Sequence, residues 1–148
     1  MQVGDRAPEI ELRTDSGEEF QLSSLKGKRV VLYFYPRANT PGCTVEACEF
    51  RDDAAKFTKK GATVVGVSPD KQAAQAKFKD KFTLPFTLLA DQDKAAAQAY
   101  GVWKEKNMYG KKVMGVARTT FLIDDGKITK IFTSVKPEGH AEEILAAL

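Results

Sequence analysis

The segment Arg29-Val-Val-Leu-Tyr-Phe-Tyr35 constrains this chain more than any other, because six apolar or aromatic residues follow one another without a polar break. A strand with one wet face alternates apolar and polar side chains, whereas a continuous run of β-forming residues fits a strand buried on both faces. The chain should therefore contain a sheet covered on each side, with this segment as a central strand. Pro36 ends it, since proline cannot donate to a ladder.

Thr40-Pro41 then reads as an N-cap followed by proline at the first helical position, where the missing N–H costs nothing. Cys43, Ala47, Phe50, Ala54 and Phe57 follow at i, i+4, i+7, i+11 and i+14. This spacing draws one apolar stripe down a helix expected to start at about Pro41 and to stop at Gly61. Cys43 lies at the top of the stripe. Cys48 is turned by ~140° from it at 100° per residue, so the two thiols point in different directions.

Elsewhere, Ile10 to Leu12 and Glu19 to Leu22 flank Asp15-Ser16-Gly17 as a short hairpin. Thr63 to Val67 reads as a second buried strand, and Ser68-Pro69 as the cap of a helix over about residues 70 to 81. Asp93 starts a short helix that Gly101 closes. Thr119 to Ile123 and Lys127 to Phe132 form a hairpin about Asp124-Asp125-Gly126, and Pro137 opens a terminal helix. The order predicts an α/β fold, a central mixed β-sheet flanked by helices on both faces, with an N-terminal β-hairpin. No repeat, low-complexity tract or linker interrupts residues 1–148, so one domain is expected, and a chain of this length buries roughly 70% of its unfolded surface.

Hydrophobic residues make up 43% and charged residues 29%, too apolar a mixture for intrinsic disorder. Twenty-three Lys and Arg against twenty Asp and Glu leave a net charge of +3, interspersed rather than gathered into a stripe that could follow a phosphate backbone. Nucleic acid is not an expected partner. The first residues carry no apolar leader core, and no stretch approaches the ~18 apolar residues of a membrane span, so the expected location is cytoplasmic and away from membranes. As a staple, two cysteines five positions apart are worth only about 2 kcal/mol on the chain-entropy model. In a reducing compartment such a pair is more often catalytic or metal-binding than structural.

A cysteine in the first turn of a helix meets the positive end of the macrodipole and free backbone N–H groups, which favour thiolate over thiol. Gly42 beside it has no Cβ and leaves room for a small ligand at the backbone. Taken alone, Cys43 reads equally as a small core hydrophobe.

The residues around it, Pro36-Arg-Ala-Asn-Thr40-Pro-Gly-Cys43, match the P-x3-T-x2-C segment and resemble the active site of the peroxiredoxins. Cys48 adds the C-x4-C spacing of the peroxiredoxin Q group, also called bacterioferritin comigratory protein. The resemblance extends through Gly4 to Pro8, Gly27 to Pro36, Glu49 to Asp52, Tyr100 to Trp103 and Arg118 to Asp124. It implies a thioredoxin-like fold and a thiol-dependent peroxidase without cofactor or metal, monomeric and acting in antioxidant defence on hydrogen peroxide and alkyl hydroperoxides. Cys43 then matches the sulfur that attacks the peroxide and becomes a sulfenic acid. Cys48 matches the thiol that resolves it as a Cys43–Cys48 disulfide, with thioredoxin as the implied electron donor and glutaredoxin or glutathione as alternatives.

The same resemblance gives Thr40 the peroxide-holding hydroxyl and Pro36 the shielding of the pocket. Gly42 and Cys43 supply backbone N–H groups, and Arg118 a guanidinium beside the thiolate. Glu46, one turn beyond Cys43, is implied to order this network. On the residues alone, Arg118 and Glu46 read as solvated surface charges, Thr40 as a cap and Pro36 as a strand terminator. Trp103 and Phe82 fit either the pocket mouth or core packing, and His140 fits a structural role.

Three rival readings follow from the same residues. A thioredoxin-type dithiol oxidoreductase uses C-x2-C, which keeps both sulfurs at a helix start, unlike C-x4-C. A metal module would have only Cys43, Cys48 and His140, where tetrahedral zinc wants four ligands in paired short spacings. A redox sensor would use the same thiol chemistry.

Overall fold

The computed structural model describes residues 1–148, the side chain of Met108 excepted. Strands β1 (Glu11–Thr14) and β2 (Glu19–Gln21) pair antiparallel with Leu12 opposite Phe20, the hairpin expected there. A short turn of 3-10 helix, Leu22–Leu25, leads into β3 (Arg29–Phe34). Val30, Leu32 and Phe34 enter one hydrophobic core, and Val31, Tyr33 and the following Tyr35 enter another. The run has no polar alternation because each residue meets one of two cores.

Helix α1 (Pro41–Asp52) carries Cys43, Ala47 and Phe50 into the second core. The single helix expected to reach Gly61 is in fact two, broken at Asp53 (φ −99°, ψ 11°) and resumed as α2 (Ala54–Lys59). Asp52 and Asp53 are weak helix formers, and their charges face the negative end of the helix dipole. Phe57 on α2 is nonetheless buried in the core that holds Cys43, so the stripe survives the break.

Strand β4 (Ala62–Ser68) runs parallel to β3. Helix α3 (Gln72–Phe82) follows, with Lys71 at its N-cap rather than Ser68, whose hydroxyl donates to Asp70 instead. Strand β5 (Thr87–Ala90), parallel to β4, lies where no strand was expected. Helix α4 (Ala95–Ala99) starts after Lys94, not at Asp93. Strands β6 (Trp103–Met108) and β7 (Lys111–Val116) form a second, separate two-stranded sheet, also unexpected. Strands β8 (Thr119–Asp124) and β9 (Lys127–Phe132) pair about Asp125 (φ 50°) and Gly126 (φ 78°), the backbone that an Asp-Gly turn provides. Helix α5 (His140–Ala147) begins beyond Pro137, with Gly139 at its N-cap in the left-handed region.

The main sheet has the order β2-β1-β5-β4-β3-β8-β9, with β3, β4 and β5 parallel and the other pairings antiparallel. Helices α1, α2, α3 and α5 cover the face that contains Cys43, and α4 covers the other. The expected mixed sheet with helices on both faces is therefore present. Among the described residues, no helix is long and apolar enough to cross a membrane.

Candidate active site

The site is built where β3 ends. Pro36 turns the chain out of the sheet, and Asn39 adopts a left-handed conformation (φ 61°) that asparagine tolerates. The loop then delivers Thr40 to the start of α1. Thr40 occupies the N-cap position in extended backbone, yet its side chain makes no cap bond. Its hydroxyl donates to the Arg37 carbonyl at 2.9 Å, and its own carbonyl accepts from Thr44 N–H at 2.9 Å. The expected cap is thus one of position only.

Cys43 sits in the first turn of α1 and is buried, 1% exposed. Arg118, between β7 and β8, reaches it from 75 residues away, with Nη2 donating to Cys43 Sγ at 3.1 Å. Its Nη1 donates to Glu46 Oε1 at 2.7 Å. A Cβ on Gly42 would meet Arg118 Nη2 and Pro137 Cγ, each at 3.4 Å. The room that glycine leaves is therefore taken up by the guanidinium and a proline.

Glu46 is not a solvated carboxylate but is 1% exposed. Burial pushes its carboxyl up to about 7, against the pull of Arg118. Among the described residues its Oε2 has no hydrogen-bond partner, and neither has the hydroxyl of buried Tyr33, whose phenol burial holds well above its usual range. Burial works against the charge of Arg118, but Glu46 and Cys43 outweigh it and hold the guanidinium above its ordinary value. Lys106 donates to the Val116 carbonyl, and burial, then the nearness of Arg118, lowers its ammonium below the usual lysine range. Nothing in the sequence marked this lysine out from its neighbours.

Cys48 is half-buried on the same helix, and both cysteines are free thiols. The Cys43–Cys48 disulfide implied by the resemblance is not formed, because an intact α1 holds the two positions apart. Phe82 packs against the core that contains Cys43, and Trp103 against the core on the opposite face. His140 is buried between Phe50 and Phe132. Its Nδ1 faces the Glu143 carboxylate at 2.9 Å, and a carboxylate only accepts, so Nδ1 carries the proton and Nε2 accepts from the Thr120 hydroxyl at 2.7 Å. Burial pushes this imidazole below the usual histidine range, against Glu143. Among the described residues, no group of three or more His, Cys, Asp and Glu is placed to hold a metal ion.

Two contacts escaped the sequence reading. The Glu49 carboxylate accepts from the Gly139 N–H at 2.9 and 3.1 Å and ties α1 to α5. The Asp70 carboxylate accepts from the Ala38 N–H at 2.7 Å and ties β4 to the loop before α1. Chemically, the arrangement is a buried sulfur under a permanent cation, at a helix end whose first N–H groups lack intrahelical partners. It suits a thiolate nucleophile acting on a small polar oxygen compound.

Comparison with known proteins agrees with this chemistry. The AhpC/TSA family profile matches residues 3–131. The chain is 48% identical to the peroxiredoxin Bcp of Bacillus subtilis, covering all of this chain and 95% of that one. It is similar to a solved PrxQ variant of Xylella fastidiosa, at 37% identity and a TM-score of 0.94, covering 99% of this chain and 94% of the other. It is also similar to the bacterioferritin comigratory protein of Xanthomonas campestris, solved in trapped intermediate and ligand complexes in a study of its alkyl peroxide reduction activity. That match has 40% identity and a TM-score of 0.89, over 93% of this chain and 88% of the other. The fold is thioredoxin-like, as in these peroxiredoxins.

Proposed function

The chain belongs to the AhpC/TSA family and is a peroxiredoxin, a thiol-dependent peroxidase, and from that premise we propose that Cys43 is the sulfur that attacks hydrogen peroxide and alkyl hydroperoxides. One observation carries this assignment: the 3.1 Å contact from Arg118 Nη2 to Cys43 Sγ in the first turn of α1. A guanidinium stays charged at any working pH, stabilises a thiolate and donates to an oxygen as charge develops there.

The thiolate attacks the O–H oxygen of the peroxide, the O–O bond breaks as the S–O bond forms, and the other oxygen takes up a proton from solvent, replacing the one the thiol gave up on ionising, and leaves as water or an alcohol. The sulfur is oxidised by two electrons to a sulfenic acid. Arg118 and the N–H groups of Gly42 and Cys43 donate to the peroxide oxygens, Thr40 holds the peroxide with its hydroxyl, and half-buried Pro36 limits water. Glu46 orders Arg118. Cys48 then attacks the sulfenic sulfur, water leaves, and the Cys43–Cys48 disulfide forms. A thiol donor, thioredoxin ahead of glutaredoxin or two molecules of glutathione, supplies two electrons, is itself oxidised to a disulfide and returns both thiols. A cycle that must be reset by thiols suits a reducing compartment, and the cytoplasm is the location we propose.

The test is peroxide consumption with thioredoxin, thioredoxin reductase and NADPH. Cys43→Ser should abolish it, whereas Cys48→Ser should consume about one equivalent of peroxide and then stop turning over. Loss of the first oxidation in both variants alike would overturn the division of roles.

A further inference from the structure

Asp70 touches neither Cys43 nor Arg118, yet it is wired into the loop that carries Thr40. Its Oδ2 accepts from the Ala38 N–H at 2.7 Å and from the Ser68 hydroxyl at 2.6 Å. Behind it, Gln75 Nε2 donates to Ser68 Oγ at 2.8 Å and to the Leu89 carbonyl at 2.8 Å, while Gln75 Oε1 accepts the Tyr35 hydroxyl at 2.6 Å. Ser68, Gln75 and Tyr35 are each at most 1% exposed. Satisfied polar networks in such surroundings are stiff, because any opened bond leaves a buried group unpaired. The carboxylate is therefore held from behind by α3, β4 and the end of β3, and its free face meets the loop.

The Ala38 N–H and the Arg37 carbonyl belong to one planar peptide unit and point in opposite directions. Asp70 holds the N–H edge, and the carbonyl edge accepts the Thr40 hydroxyl at 2.9 Å. Fixing the peptide plane thus fixes where the hydroxyl proton goes, and the carboxylate charge polarises the peptide so that its carbonyl accepts more strongly. With its proton committed to Arg37, Thr40 Oγ1 keeps its lone pairs free to act as an acceptor. An alkyl hydroperoxide carries a single O–H donor, which needs such an acceptor, while its oxygens need the donors of Arg118.

We infer that Asp70 is a positioning residue for peroxide, acting through the Arg37–Ala38 peptide to present the Thr40 hydroxyl as the acceptor for the hydroperoxide O–H. The inference rests on the reading that Thr40 holds the peroxide. The experiment is a double-mutant cycle on the second-order rate of peroxide oxidation of the reduced protein, with hydrogen peroxide and an alkyl hydroperoxide. Asp70→Ala removes a hydrogen bond to a charged group and should slow oxidation by about tenfold. Asp70→Asn keeps a neutral acceptor oxygen and should slow oxidation by about threefold. Alkylation of Cys43 by iodoacetamide, which needs no acceptor at Thr40, should stay unchanged in both. In a Thr40→Val background, neither Asp70 substitution should slow oxidation further. Should Asp70→Ala lose its native circular dichroism, the Asp70→Asn arm carries the same test. A slow Thr40→Val protein that each Asp70 substitution slows again by its full factor would overturn the inference alone, as would equal losses of alkylation and oxidation. A Thr40→Val protein as fast as wild type would overturn the Thr40 reading and the inference with it.

Discussion

Glu46 and Cys43 share one guanidinium, and only one of them is expected to act on substrate. The carboxyl of Glu46 stands at about 7 in the folded protein, against an ordinary value of 4.5, because burial penalises its charged form more than Arg118 rewards it. A raised carboxyl favours the folded state fully below the unfolded value, and that contribution is lost as pH climbs through the folded value. The window is therefore about pH 4.5 to 7. Relative to Glu46→Gln, which does not titrate, the reduced wild type should lose on the order of 2–3 kcal/mol of unfolding free energy across it. Denaturant unfolding at pH 5, 6, 7 and 8 measures this, and parallel curves would mean that Glu46 does not titrate there. The burial of Glu46 was legible in principle, since it follows Cys43 by three residues and so lies on the same helical face. Arg118 was not legible by spacing, for no periodicity links residues 75 apart, and only the likeness of its surroundings pointed to it.

At the scale of elements, the sequence was clearest where one physical signal dominated. The strand ending at Tyr35, the stripe through Cys43 and Phe50 and the Asp-Gly turn before Lys127 each rest on hydrophobic period or turn chemistry. It was least clear where the deciding partner lay outside the element. β5 is four residues long, too short for a period, and β6 and β7 carry their charged residues without a strict apolar alternation, so neither announced a buried face. Asp93 reads as the start of helix α4, but the start is set by Asp91, 1% exposed, whose two oxygens accept from the N–H groups of Ala96 and Ala97 at 3.0 and 2.9 Å. A cap reaching from before the turn gives no local signature of the kind Ser or Thr leaves at an N-cap. Asp91→Ala would orphan two buried donors, and we expect a loss of roughly 2–3 kcal/mol, lowering Tm by about 6–10 °C. Asp91→Asn, with one acceptor left, should lose about half as much. A calorimetric Tm within about 1 °C of wild type for Asp91→Ala would remove the cap from the account of α4.

Over the whole molecule, the proposed disulfide conflicts with the reduced fold, and the conflict predicts a motion. In an intact α-helix, residues five apart are separated by a rise of ~7.5 Å and a turn of ~140°, which puts their Cα atoms ~8.6 Å apart. A disulfide needs Cα atoms within roughly 7 Å and converging Cβ vectors, so the first turns of α1 must unwind before the sulfurs meet. Gly42, Thr44 and Val45 are mediocre helix formers at this end, which lowers the cost of opening. The other end resists, because Phe50 is fully buried and stacked on Tyr33. Opening should therefore stop short of Phe50. It must also release the Glu49 carboxylate from the Gly139 N–H and withdraw Gly42 from Pro137, so the start of α5 loosens with α1. Oxidised wild type should lose helical circular dichroism and show faster amide exchange over residues 42–49 and at Gly139, with both effects reversed by a dithiol. The Gly139 amide distinguishes this motion from simple fraying of α1, since it lies 90 residues from its acceptor. If these amides stayed equally protected after oxidation, either the bond would not join Cys43 to Cys48 or α1 would not be the segment that yields.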